Sequence, residues 1–318
     1  MTQFATEMFE SDAATTMQYL VSHRTYYRYS APVSLAHSQA HLTPRTTPRQ
    51  TCISSKLDIS PPPTLIRPWQ DYHGNQAHYF TFERPHEELE VVAASVVDVH
   101  DRPWPAVESG PTWEEVRAAL LAPRDPDTLA ATLFRYESPY VRRLAEAEQY
   151  ALKSFTPGRP LAAAAMELTQ RIFREFRYTP GATGVHTSTA EVFQQRRGVC
   201  QDFAHAQITC LRTLGLAARY VSGYLLTDPP PGQPKLIGAD ASHAWLSVFC
   251  PGLGWLDFDP TNNQMPGPRH VTVGWGRDYA DVCPIKGVFL GGGHHTMTVA
   301  VDVTPIAAVR ESAVPGSG

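Results

Sequence analysis

At 318 residues and a net charge of −4, the chain exceeds the ~150 residues of one domain and lacks the basic face that phosphate neutralisation demands, so no nucleic-acid partner is expected. No apolar run approaches the ~18 residues of a membrane span, and Met1–Thr16 has neither a basic nor a long apolar region, so a cytoplasmic protein without a membrane partner is expected. With 42% hydrophobic and 18% charged residues and a mean hydropathy of −0.27 the composition is globular, while 28 prolines imply many turns and extended connections.

Residues 1–16 read as a disordered N-terminus. Residues 17–105 read as an antiparallel β domain. Its runs Tyr19–Tyr29, Ile53–Ile59, His78–Phe82 and Leu89–Val99 are rich in aromatic and β-branched residues, and turn signals at Pro61–Pro63 and Gly74–Asn75 separate them. Proline and glycine at Arg102–Pro105 and Ser109–Pro111 mark a boundary. Residues 106–160 form a helical connecting region, opened by the start signal of Thr112 with Glu114 and Glu115. Residues 161–303 hold the core and a C-terminal strand. There, Ala164, Leu168, Ile172 and Phe176 recur every four residues on one helical face. A second helix runs from Cys200 to a glycine cap at Gly215, with Phe203, Leu211 and Leu214 facing inward. Three strands follow at Ala218–Leu226, Ser242–Phe249 and Gly254–Asp259, the last two joined by a hairpin turn at Pro251–Gly254, and another strand spans Thr296–Val303. Residues 304–318 read as a frayed tail.

Five cysteines, Cys52, Cys200, Cys210, Cys250 and Cys283, are scattered, odd in number and free of any Cys-x-x-Cys pair, which argues against a disulfide framework or a structural zinc site. Cys200 alone stands where a glycine-containing loop, Arg197-Gly-Val, enters a helix. Unpaired N–H groups and the helix dipole favour a thiolate there, Gly198 permits close approach of the loop, and the Cys200 N–H can hold a developing oxyanion. Cys210, mid-helix beside Leu211, is expected in the core, and the remaining three are expected to be structural.

His243 opens the apolar strand Ala244–Phe249, a rigid platform for an imidazole. Asp259 ends the next strand just before Pro260, and antiparallel pairing across the turn brings it near His243, where a carboxylate can hold the useful tautomer. Asp257 lies two residues earlier on the same face, so spacing alone leaves both aspartates open.

Four blocks in order, Gly198-Val-Cys-Gln-Asp-Phe-Ala-His205, Ala218-Arg-Tyr-Val-Ser-Gly-Tyr224, His243-Ala-Trp245 and Leu256-Asp-Phe-Asp-Pro-Thr261, resemble the core of the transglutaminase-like superfamily in its bacterial form. The resemblance extends to Tyr19–Val99, including Asp71-Tyr-His-Gly-Asn75, to Gly276–Val282, and so to nearly all of Tyr19–Val303. It implies an α+β fold: a papain-like, transglutaminase-like core, with the cysteine-bearing helix packed on an antiparallel sheet, preceded by an antiparallel β domain. It also implies Cys200 as nucleophile, His243 as base and Asp259, rather than Asp257, as the orienting carboxylate.

Around this triad, Gln201 is a candidate oxyanion donor, Asp202 and His205 are candidates for substrate contact or for capping the helix, and Trp245 shares the strand face of His243 as a wall of the site or as core. Arg277 and Asp278 read as a structural pair or as cleft lining. His294 and His295 point to opposite faces of a strand, so no metal and no cofactor are expected. The triad implies acyl transfer on a peptide or protein substrate. With no Asp-x-Asp-x-Asp-Gly calcium loop, hydrolysis of peptide or amide bonds is the first expectation. Crosslinking as a protein-glutamine gamma-glutamyltransferase, arylamine N-acetyltransferase-like transfer and a non-catalytic binding protein are the alternatives.

Overall fold

The computed structural model describes residues 15–184, 187–228 and 240–306; residues 1–14 and 307–318, where a disordered start and a frayed tail are expected, lie outside it. The first sheet is built from β1 (Thr16–Ala40), β2 (Gln50–Ser60), β3 (Leu65–Gln70), β4 (Gln76–Phe82) and β5 (His86–His100), with period-2 alternation clearest in β1 and β5. Along β1, Tyr19, Val21, His23 and Thr25 are buried while Leu20 and Arg24 are exposed, and β5 buries Val91, Ala93, Ser95, Val97 and Val99 in the same rhythm. β1 is the spine. Its N-terminal half pairs with β5 and its C-terminal half with β4, the register breaking between Arg28 and Val33 so that one strand serves two sets of partners. The sequence pattern does not announce β3, because it contains Pro68 and all six of its residues are exposed, which leaves no alternation to read.

Helices follow as α1 (Trp113–Leu121), α2 (Pro126–Ala131), α3 (Ala145–Leu152) and α4 (Leu161–Glu175). The Thr112 hydroxyl accepts from the Glu115 N–H while the Glu115 carboxylate accepts from the Thr112 N–H, a reciprocal cap that satisfies donors the first turn leaves open. Ala164, Leu168 and Ile172 of α4 are wholly buried, as their spacing requires. The short strands β6 (Arg177–Tyr178) and β7 (Arg197–Gly198) pair in parallel on either side of α5 (Thr189–Gln195). They deliver the chain to α6 (Cys200–Thr213), a central helix that buries Phe203 and Leu211 and ends at Gly215, whose φ of +83° favours glycine.

The second sheet holds β8 (Ala218–Leu225), β9 (Ala241–Cys250), β10 (Gly254–Phe258) and β11 (His270–Gly276) in the antiparallel order β10-β9-β8-β11. Tyr220, Ala244, Leu246, Val248, Leu256 and Phe258 pack one of its faces into a core shared with α4 and α6. After α7 (Tyr279–Val282) the chain returns to the first sheet. β12 (Ile285–Gly291) pairs with Val33–Ala40, and β13 (His295–Ile306) pairs with Gln18–Tyr29 on the edge of β1 opposite β5. The C-terminal strand thus completes the N-terminal sheet and runs to Ile306.

A third apolar cluster joins the two sheets: Tyr19, Val21, Val97, Val99, Val301 and Val303 meet Tyr224, Val271 and Val273. Polar latches sit beside it. The Gln50 side chain donates to the Thr272 carbonyl and accepts from the Thr272 N–H, both at 2.8 Å. Asn75, buried at the end of the Asp71–Asn75 turn, does the same for Trp275 at 2.8 and 3.0 Å. These amides satisfy β11 backbone groups at the register shift between Thr272 and Gly274. Gly274 is needed here, since a Cβ would stand 2.7 Å from the Asn75 oxygen.

Candidate active site

Cys200 is the first residue of α6, where the helix leaves its N–H without a carbonyl partner one turn back. The approach is tight. Asp202 folds back to accept from the Val199 N–H at 2.8 Å and from the Thr183 hydroxyl at 2.6 Å, and a Cβ on Gly198 would sit 2.6 Å from its carboxylate. Burial raises the Asp202 carboxyl, and these two donors oppose it. Asp202 therefore holds the loop–helix junction and does not line the cleft.

His243 lines the same cleft as Cys200 and interacts with it electrostatically, and its Nε2 donates to the Asp259 carboxylate at 2.7 Å, leaving Nδ1 as the ring nitrogen for the thiol. Burial disfavours a charged imidazole, yet the hydrogen bonds and charges of Asp259 and Cys200 outweigh it and hold His243 well above its ordinary 6.5. Asp259 is fully buried, which alone would raise it, but His243 and His270 hold it well below the usual carboxylate range. The other aspartate does different work: Asp257 accepts from Trp245 Nε1 at 3.1 Å and from Ser247 at 2.5 Å.

Asp259 is also placed by its own loop. Its Oδ1 accepts from the N–H groups of Thr261 and Asn262 at 2.9 and 3.2 Å, and its backbone pairs with Gln264. Oδ2 receives three donors: His243, Asn262 Nδ2 at 2.7 Å and His270 Nε2 at 3.1 Å. His270 Nδ1 accepts from the Gly267 N–H at 3.4 Å, which leaves the proton on Nε2 for the carboxylate. His243, Asp259 and His270 present atoms within 4.8 Å of one another, a donor set a metal could use. In this arrangement the shared atoms are already occupied by hydrogen bonds within the cluster.

The thiol and imidazole open into a cleft of about 290 Å³ between the two sheets. Gln201, Tyr220, Ser222 and Ser242 line its core side, and Tyr27, Ile285, Met297 and Val299 line the side built by β1, β12 and β13. His205 does not reach it. That ring is buried, stacks on Tyr140 at 5.6 Å and accepts from the Tyr279 N–H at 3.2 Å, and burial lowers it to about 3. Trp245 is fully buried beneath the site, its ring centroid 5.9 Å from His243 and 5.3 Å from His270. Of the supporting candidates, Gln201 alone lines the cleft with Cys200 and His243. Arg277 pairs with Asp281 rather than with Asp278, which instead caps α7 through the Ala280 N–H.

Burial raises the thiols of Cys52, Cys210, Cys250 and Cys283, the last two of Cys200's contrasts being tied to structure as well: Cys250 rises to about 11, and Cys283 contacts Tyr279 and the Ile285 carbonyl. His270 and the wall formed by β1, β12 and β13 escaped the sequence reading, since both enter through contacts distant in the chain. Asn262 had a local signal, three residues after Asp259 in an Asp-Pro-Thr-Asn turn.

A family model for the bacterial transglutaminase-like N-terminal region matches residues 19–98, and one for the transglutaminase-like superfamily matches residues 149–260. Uncharacterized protein Rv2569c of Mycobacterium tuberculosis is 43% identical over 298 residues, 91% of this chain and 93% of that protein. Uncharacterized protein ML0607 of Mycobacterium leprae is 36% identical over 290 residues, covering 90% and 98%. A protein-glutamine gamma-glutamyltransferase of Pseudomonas aeruginosa is 38% identical over 103 residues, 31% of this chain and 15% of that protein. The fold matches the crystal structure of "a Putative Cysteine Protease from Cytophaga hutchinsonii" with a TM-score of 0.73 at 21% identity, covering 92% of each chain. The chain therefore belongs to the transglutaminase-like superfamily, in the bacterial form that carries its own N-terminal region ahead of the core.

Proposed function

We propose that this protein is a cysteine hydrolase of peptide or amide bonds, with Cys200 as nucleophile, His243 as general base and acid, and Asp259 as the carboxylate that orients and charges the imidazole. The observation that carries the reading is one cleft between the two sheets lined by both Cys200 and His243, with His243 bonded to a buried Asp259. His243 takes the thiol proton, and the Cys200 thiolate attacks the carbonyl carbon, forming a C–S bond as the carbonyl π electrons move to oxygen. The Cys200 N–H holds that oxyanion. Collapse breaks the C–N bond, and the imidazolium gives its proton to the leaving nitrogen. Water then attacks the thioester while His243 takes its proton, and the second collapse expels the thiolate with the carboxylic acid as product.

Water is favoured as acceptor because no Asp or Glu lines the cleft among the described residues, so a lysine ammonium meets no counter-charge on its way to the thioester. The matching segment of the Pseudomonas aeruginosa transferase supports amine transfer as a second reading. Acid quenching after incubation with a glutamine-rich peptide library, followed by mass spectrometry, tests both. An acyl adduct on Cys200, absent in His243→Ala, and release of free acid even with excess monodansylcadaverine are expected. Dansylated peptide as the main product would overturn hydrolysis, and the absence of any adduct on Cys200 would overturn the nucleophile.

A further inference from the structure

Away from Cys200, on the face of the second sheet that bears Trp245 and Asp257, a larger cavity of about 620 Å³ opens between that sheet and the segment around Trp104. Its deepest cation is Arg219 on β8, 8% exposed. Its guanidinium carbon sits over two indoles, 4.2 Å from the Trp255 ring centre and 3.7 Å from that of Trp275. A cation–π contact uses the charge of a guanidinium without consuming its N–H donors, the groups that bind a carboxylate or phosphate through two parallel bonds. One of those donors is used, Nε donating to the Ser247 hydroxyl at 3.3 Å. The two Nη groups make no hydrogen bond and no ion pair among the described residues, although Asp257 exerts some attraction from further away.

A guanidinium with unpartnered N–H groups beside a cavity offers an anion charge-assisted hydrogen bonds, which are about twice as strong as neutral ones. Burial does lower Arg219, to about 9, so it stays charged at neutral pH. The rest of the wall is complementary to an anion. Arg102 stands exposed at the rim, and Arg49 stacks 3.5 Å over Trp104 with its own donors spent on the Arg102 and Pro103 carbonyls, giving three arginines against the single carboxylate of Asp257. We infer that this cavity binds the carboxylate or phosphate group of a small molecule on the Nη groups of Arg219. The site is separate from Cys200, and its occupation does not depend on the proposed hydrolysis.

The intact protein is titrated with sodium phosphate and, separately, with sodium benzoate at constant ionic strength, read by tryptophan fluorescence and titration calorimetry. Saturable one-to-one binding of at least one probe is expected. Phosphate alone would identify a phosphate ligand, benzoate alone a carboxylate on a flat apolar body, and both a general oxyanion site. Loss of a charge-assisted bidentate contact weakens binding by about tenfold or more in Arg219→Gln, with the Cys200 alkylation rate unchanged. Should that variant fail to fold, Arg102→Ser at the exposed rim decides, with a several-fold weaker Kd expected. Failure of both probes to saturate, or an unchanged Kd in the deciding variant, overturns the inference.

Discussion

Replacing Asp259 by asparagine keeps the volume of the buried side chain and removes its charge. In the native site that charge receives three donors on one oxygen, at 2.7 Å from His243, 2.7 Å from Asn262 and 3.1 Å from His270. The asparagine amide retains one acceptor and adds two donors, so at least one of these contacts becomes donor against donor. A hydrogen bond to a charged partner is worth about 1.5–3 kcal/mol. At 1.36 kcal/mol per tenfold, imidazolium on His243 becomes about ten- to 150-fold less favourable. The sign follows from the direction of the native shift: His243 is raised, so its protonated form persists into alkaline pH, and the variant must lose that form at lower pH. The assay is kcat/KM against pH on a peptide identified by acyl trapping, with iodoacetamide labelling of Cys200 in parallel and Cys52 as internal reference. A drop of about ten- to 150-fold, with the alkaline limb displaced toward neutrality, is expected. A rate within twofold of native with an unmoved limb would refute the assignment of Asp259.

Gly198→Ala forces a Cβ to 2.6 Å from Asp202 and should break the cap on the Val199 N–H, costing about 1–2 kcal/mol in urea unfolding and slowing Cys200 alkylation. His23 is buried and lowered by that burial to about 4, so the unfolded chain gains a proton near 6.5 that the folded chain refuses. Stability should therefore decline as pH falls from about 6.5 toward 4, by roughly 3 kcal/mol from this group, and His23→Gln should flatten that part of the curve in chemical denaturation. Met297 is 55% exposed on the cleft wall, so Met297→Asp should leave the melting temperature nearly unchanged while lowering kcat/KM about tenfold on substrates with apolar flanks; an unchanged rate would remove β13 from substrate contact.

The regular elements were legible wherever one face is buried and the other wet. Tyr19–Tyr29 and Leu89–Val99 alternate, and Leu161–Glu175 repeats every four residues, because each meets a single apolar layer. β3 lacks a buried face and stayed invisible. Asp202 and His205 were left between substrate contact and structure because a polar residue on a first helical turn has the same sequence signature in either role; the structure places one on the Val199 N–H and the other between Tyr140 and Tyr279.

The sequence by itself determined the glycine–cysteine helix start, the His243 and Asp259 hairpin and an N-terminal β region ahead of a helix-then-strand core, since each rests on local periodicity, turn chemistry or pairing across a short turn. Only the tertiary structure shows that His243 bonds to Asp259 while Asp257 bonds to Trp245 and Ser247, because the two aspartates share a strand face and differ in which side chains stand above them. It alone brought His270, eleven residues beyond Asp259, onto the same carboxylate oxygen. It alone returned β12 and β13 to β1 across 245 to 288 residues, from Ala40 with Ile285 to Gln18 with Ile306, making the N-terminal sheet one wall of the cleft. Hydrogen-bond partners and cleft walls are long-range properties, and no local period in the chain encodes which distant strand will fill an open sheet edge.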